Sequence, residues 1–462
     1  MISLMAALLA LQASPSPAAQ DTTSGRPCLV AVDSVGRYVE LPQPDGTKIL
    51  HGGGGVLAHC VGTNTTISAD SFTHYSALGR LDLIGRVQIR DTALALDSRF
   101  ASYYMREGRL EAHNNVVAVN RSNGSVLRGP NLRYMRAIPG IRDTVEMYAT
   151  QRPTVEYRQA DSSGAALEPY IIVADRLRFK GNDRMWAGGK VTIDRSDFSA
   201  RSDSMLLDQT KGFGVLVGQP FVEGRGRETA GEAAKSYTLV GTRIELALEQ
   251  RDIREVNALG NGKATGSDWT LTADTIDLHV ANRLLQQTFA WGDSLRPHAI
   301  STLYTIQADS MAIDSPDEVL SESRSFGKAF STAKRDSTTP PAETDWIAGD
   351  TLTARFHQEL DSAAARPRTR LRQIVSVGGA RALTHHPEKN DTTHAPSAIN
   401  YSRGHQIDIT MIFDRIDRVI VAGKADGVHL EPHAAAVADS LKRVGPDTTR
   451  TAPRATPPPA VP

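Results

Sequence analysis

The sequence predicts an all-β chain, and three observations carry that prediction. Apolar residues alternate with polar ones in many short segments bounded by Gly, Asn, Asp and Pro, the spacing of half-buried strands. Helical periodicity is nearly absent from the 462 residues. A short motif recurs along the chain, mostly every 28 to 45 residues or so, as expected of stacked repeats.

The motif is a small residue, usually followed by Asp, with apolar residues two positions before it and three and five positions after it. Clear copies are Ile67-Ser68-Ala69-Asp70-Ser71-Phe72, Ile172-Val173-Ala174-Asp175-Arg176-Leu177 and Leu271-Thr272-Ala273-Asp274-Thr275-Ile276. Further copies centre on Gly129, Ser202, Gly241, Ala308, Gly349 and Gly404, and a degenerate one spans residues 94–100. The position three after the small residue is apolar in all nine.

That odd step is informative, because strand side chains alternate faces with period two. An extra residue inserted at the Ala/Gly-Asp pair, as a bulge or tight corner, restores the face and bends the strand. Bends at equivalent places fold a stack of strands into a trough with two walls. Inward positions then include Phe72, Leu132, Tyr134, Leu177, Phe179, Met205, Leu207, Ile244, Leu246, Ile276, Leu278, Met311, Ile313, Leu352 and Ile407.

Between the copies lie strands with Gly on the apolar alternation, as in Leu81, Leu83, Gly85, Val87, Ile89 and in Met185, Ala187, Gly189, Val191, Ile193. Val375, Val377 and Gly379 continue the series. Glycine offers no side chain to pack, so these positions are expected to leave room on the inward face. Strands stacked about 4.8 Å apart over nine or ten copies would make an elongated body of the order of 100 Å.

The ends read differently. Residues 2–11 are apolar and precede a Pro/Ser/Ala stretch, so 1–19 is expected to be a secretory signal that exports the chain, although no Lys or Arg precedes the apolar run. Repeats are expected over 26–331 and 346–431, with a polar, Pro-containing linker at 332–345 and a disordered Pro-rich tail at 432–462. Cys28 and Cys60 are the only cysteines. In an exported chain they form either one disulfide or two buried thiols.

Charge excludes one class of partner. Lys plus Arg and Asp plus Glu are both 52, so no positive field is available for nucleic acid.

The pairing of A-D-x-apolar strands with x-G-x-V strands, as in residues 172–179 followed by 185–193, resembles the OstA/LptA-type β-jellyroll family of lipopolysaccharide transport, the organic solvent tolerance-like proteins. LptA, LptC and the N-terminal domain of LptD belong to that family. The resemblance covers most of residues 60–430 and implies an open, twisted β-trough that shields the lipid A acyl chains of lipopolysaccharide. It implies inner- and outer-membrane Lpt-type partners, a periplasmic bridging role, and lipid contact by the fifteen inward residues. This chain is much longer than an LptA-type bridge.

Catalytic signals are weak. His51-Gly52-Gly53-Gly54-Gly55 imitates a lipase oxyanion loop, but no G-x-S-x-G elbow occurs. Gly292-Asp293-Ser294-Leu295, with Asp391 and His394 as partners, imitates a GDSL-type esterase, yet it lies mid-chain in a β-rich context. The thirteen histidines show no H-x-H or H-x-x-x-H spacing on a predicted element, so neither metal nor cofactor is expected. The sequence therefore predicts a non-enzymatic lipid carrier. A structural or adhesive β-solenoid with a closed core is the first alternative and a GDSL-type esterase the second.

Overall fold

The computed structural model describes residues 28–158, 168–225, 236–249, 252–267, 269–333, 344–361, 366–386, 397–412 and 415–431. The expected signal, the expected tail and residues 334–343 of the expected linker lie outside the described residues. Among the described residues regular structure is almost entirely strand, with one 3-10 turn at Pro316–Glu318, so the all-β expectation holds. Among the described residues no helix is long and apolar enough to cross a membrane.

The chain divides into two compact units. Unit 1 comprises residues 1–225 with 242–254, and unit 2 comprises 226–241 with 255–462. In unit 1, the strands Val30–Pro42, Lys48–Cys60, Thr66–Tyr75, Arg80–Arg90, Leu94–Tyr104, Arg109–Asn120 and Val126–Met135 form an antiparallel meander, each paired with the next. In unit 2, Asp252–Thr265 runs in from unit 1 and pairs with Trp269–Ala281. Later in the same unit Glu322–Ala333, Trp346–Asp361, Arg366–His386 and Ala398–Ile412 pair in succession. The strands on either side of residues 334–343 are therefore direct neighbours.

Nearly every long strand bends once, and the register shows how. Ser68 faces Gln88 and Ser71 faces Ile84. Between these pairs lie Ala69 and Asp70 on one strand, but Gly85, Arg86 and Val87 on the other. Against its other neighbour the glycine strand again carries the surplus, with Gly85 and Arg86 opposite Arg99 alone. The extra residue thus belongs to the glycine strand, which corrects the expectation that it sits at the Ala-Asp pair. The same holds in unit 2, where Gly327 and Lys328 face only Asp350.

The physical reason lies in the backbone. Gly85 and Arg86 have φ of 74° and 43°, two successive left-handed residues that turn the strand sharply. Equivalent pairs occur at Gly189-Lys190, Gly260-Asn261, Gly327-Lys328 and Gly423-Lys424. A bent strand has a longer convex side, so the odd step is accommodated by leaving Asp70 and Ser71 both outside, between buried Ala69 and Phe72.

The corner glycines do not open the inward face, as the sequence reading expected. A Cβ on Gly85 would fall 2.3 Å from Asp70 Oδ2, and one on Gly189 would fall 2.4 Å from Asp175 Oδ2. The same contact recurs at Gly218 with Asp203, Gly327 with Asp309 and Gly378 with Asp350. The missing side chain makes room for the motif's own carboxylate on the outer side of the bend. There Asp70 accepts from Arg86 Nε at 2.8 Å.

Candidate functional site: the two-walled troughs

Residues before and after each bend line opposite walls. In unit 1 one wall presents Ile67, Val87, Ile89, Leu94 and Leu96, and the other presents Phe72, Leu83, Tyr103, Leu110 and Leu132, all buried. The walls face one another: a small cavity of about 30 Å³ is lined by Ile67, Ile89 and Leu94 from one and by Leu83, Tyr103, Leu110 and Tyr134 from the other.

All nine residues three positions after the motif's small residue are buried, among them Ile244, Ile276 and Ile407 at 0 % exposure. Of the fifteen expected inward residues, Phe72, Leu132, Tyr134, Leu177, Met205, Ile244, Leu246, Ile276, Leu278, Met311, Leu352 and Ile407 are buried. Phe179, Leu207 and Ile313 are half-buried. The sequence reading did not count Leu96, Val116 and Leu216, which are also fully buried and were visible as plain alternation.

One segment departs from the expected lining. In Arg366–His386 the inward residue is Ser376, at 0 % exposure, while Val375 and Val377 are half-buried neighbours on the alternate face. Three residues separate Ser376 from the next buried position, Ala380, because Gly378 and Gly379 take up the bend. The Ser376 hydroxyl donates to the Ala348 carbonyl at 2.9 Å, which satisfies it inside the wall. Ser323, Ser325 and Ser331 are buried on Glu322–Ala333, one strand beyond the neighbouring Trp346–Asp361, so this part of unit 2 has a small, hydroxyl-bearing lining.

In unit 1 the rim opposite the bends is held by side chains. Arg136, beyond the end of one wall, donates from Nη2 to Thr65 Oγ1 at 2.9 Å and lies 3.4 Å from Asp91 Oδ2, and both partners end the other wall. Asn120 Nδ2 donates to Asn182 Oδ1 at 2.9 Å farther along. Burial pushes the phenol pKa values of Tyr134 and Tyr103 upward, so both stay neutral beneath this latch. At the N-terminal end Cys28 and Cys60, both buried, form a disulfide with Cα atoms 5.0 Å apart. This resolves the alternative left open by the sequence.

The imitated catalytic motifs have structural roles. Gly54 and Gly55 form a left-handed corner pair, and His51 Nδ1 lies 2.9 Å from Thr73 Oγ1. The Gly292-Asp293-Ser294-Leu295 block wraps a corner carboxylate: Asp274 accepts from the backbone N–H of Ser294 at 2.9 Å and of Leu295 at 3.0 Å. Asp391 and His394 lie outside the described residues.

No family model matches the chain, and no curated protein matches it. Among solved structures it is similar to the crystal structure of LptH, the LptA homologous periplasmic component of the lipopolysaccharide transport device of Pseudomonas aeruginosa. The match has 14 % identity and a TM-score of 0.24, and it covers 29 % of this chain and 94 % of that one. A TM-score at that level does not establish a shared architecture.

Proposed function

We propose that this chain is an exported, non-enzymatic carrier that holds the acyl chains of lipopolysaccharide between its walls on the way to the outer membrane, working with Lpt-type membrane partners as a periplasmic bridge. The observation that carries the reading is the build of the unit 1 trough. Its apolar walls are joined by main chain at the bends, while the opposite rim is bridged by side chains such as Arg136, Asp91 and Thr65.

A rim of that kind can part. Burying twelve methylenes of an acyl chain contributes about 10 kcal/mol at ~0.8 each. Breaking a charge-assisted contact such as Arg136 to Asp91 and Thr65 costs about 1.5–3 kcal/mol. Lipid burial exceeds the latch severalfold, and an acyl chain between the walls takes over the apolar packing they give up on separating.

A second reading is favoured by one specific observation. In unit 1, Leu83, Leu96, Leu132 and Ile244 are at most 1 % exposed and the cavity between the walls is about 30 Å³, so the walls pack on one another as they would in a structural solenoid. Photo-crosslinking separates the two. Probes at Phe179, Leu246 and Leu278 are expected to capture lipid A, more strongly in Arg136→Ala for the unit 1 positions, and probes at Arg178 and Glu245 are not. Absence of crosslinks from every inward position, in both the wild type and the latch variant, would leave the closed core as the function-bearing form.

A further inference from the structure

On the outer face of unit 2, away from the lining, three side chains of metal-ligating type converge. Asp277 and His279 are two apart on Trp269–Ala281 and so share a face, and Glu255 on the neighbouring strand is in direct register with His279. One nitrogen or oxygen from each lies within 4.8 Å of the others. We propose that Glu255, Asp277 and His279 form a binding site for a divalent transition-metal ion.

Several features favour an ion over a simple hydrogen-bonded pair. His279 Nε2 is 2.9 Å from Asp277 Oδ2, so the two atoms need open only slightly to reach the roughly 3.3 Å that separates ligands on a tetrahedral ion with bonds of about 2.0–2.1 Å. The histidine contact leaves Asp277 Oδ1 buried without a hydrogen-bond partner, an uncompensated carboxylate oxygen that a cation would satisfy. No Lys or Arg among the described residues is ion-paired with any of the three. Phe289, opposite Asp277 on the next strand, packs its ring edgewise on His279 with centroids 5.0 Å apart, fixing the imidazole plane.

Ligand chemistry narrows the ion. One imidazole and two carboxylates with an open position suit Zn²⁺, Co²⁺ or Ni²⁺, whereas Ca²⁺ and Mg²⁺ prefer oxygen donors alone. All three ligands sit on paired strands, so the site is held by backbone register rather than by a loop.

The test is titration of the untagged full chain with Co²⁺, followed by its visible absorption band, and displacement by Zn²⁺ in calorimetry. One equivalent is expected to bind, with affinity falling at least tenfold in each of Glu255→Gln, Asp277→Asn and His279→Gln, while circular dichroism of the variants stays that of the wild type. His279→Ala serves as a second histidine variant should the glutamine itself ligate. Binding undiminished in Glu255→Gln and in both histidine variants would place the ion elsewhere and overturn the assignment. A wild-type chain that gives no cobalt band and no heat with zinc would overturn it as well.

Discussion

Replacing Gly189 with alanine isolates what the corner glycine does. The residue has φ of 79°, and its new Cβ would fall 2.4 Å from Asp175 Oδ2. Holding alanine in the left-handed region costs about 1–2 kcal/mol. Moving the carboxylate aside costs a further ~0.5–1.5 kcal/mol in rotamer strain, and Asp175 Cβ, 2.8 Å away, forces a backbone shift on top of it. The smaller entropy of the unfolded alanine chain returns about 0.4–1 kcal/mol. The net expectation is a loss of at least about 2 kcal/mol.

Two companion variants divide that figure. Gly181, with φ of 62° and nothing within 4 Å of a built Cβ, meets backbone strain alone, so Gly181→Ala is expected to lose only about half as much. Alanine at 175 would keep a Cβ 2.8 Å from the new one, so the variant that removes the whole obstacle is Asp175→Gly. The ion pair of Asp175 with Arg152 is exposed and worth under ~1 kcal/mol, and in that background Gly189→Ala is expected to fall to the Gly181 level. Urea denaturation reports this through Trp186, the one tryptophan of unit 1, once Trp269, Trp291 and Trp346 are changed to Phe. Equal losses at Gly189 and Gly181, or a Gly189 loss untouched by Asp175→Gly, would refute the aspartate-over-glycine account.

Two further outcomes follow from unit 1. Converting Cys28 and Cys60 to serine releases a closure of 32 residues, for which the loop-entropy relation gives about 4 kcal/mol, measured as the drop in urea stability relative to the oxidised wild type. Amide exchange should rise first in the edge strand Val30–Pro42, whose side chains are mostly exposed. The Glu146 carboxyl is held below its ordinary value of 4.5, chiefly by the Tyr148 hydroxyl donating at 2.7 Å, with Arg178 adding its charge and burial opposing both. A lowered folded-state pKa stabilises above the unfolded value and is lost as pH falls through the folded one. Wild type should therefore exceed Glu146→Gln by about 1 kcal/mol near neutral pH, and the gap should close in acid; a gap independent of pH would contradict this.

Much of the architecture was legible because alternation survives the bend. The odd step from Ala69 to Phe72 or from Ala273 to Ile276 breaks the period of two, and it marks the corner in the sequence. The surplus residue was not legible. On the glycine strands the step across the corner is four, as from Leu83 to Val87 or Ala187 to Val191, and an even step leaves the alternation in phase. A continuous strand and a bulged one then share one pattern, in which Gly85 looks like an inward gap. Ser376 is hidden for a related reason, since the valines on either side of it carry the stronger apolar signal. The latch of Arg136 with Thr65 and Asp91 joins residues 71 and 45 positions apart and follows no period. Glu255, Asp277 and His279 obey no spacing of histidine pairs along the chain, because a sheet also assembles ligands across strands.

The left-handed pairs found at most of the bends separate two design variables. Curvature is fixed by a count of main-chain residues on the outer arc, and bore is fixed by side chains on the inner one. Substituting the lining therefore leaves the angle between walls in place. Phe72 in one copy and Ile244 in another, or the bulky interior near Leu83 and the serine-lined stretch near Ser376, are local settings of gauge along walls of one geometry. A chain built this way can vary its interior from copy to copy without redesigning the frame that holds it.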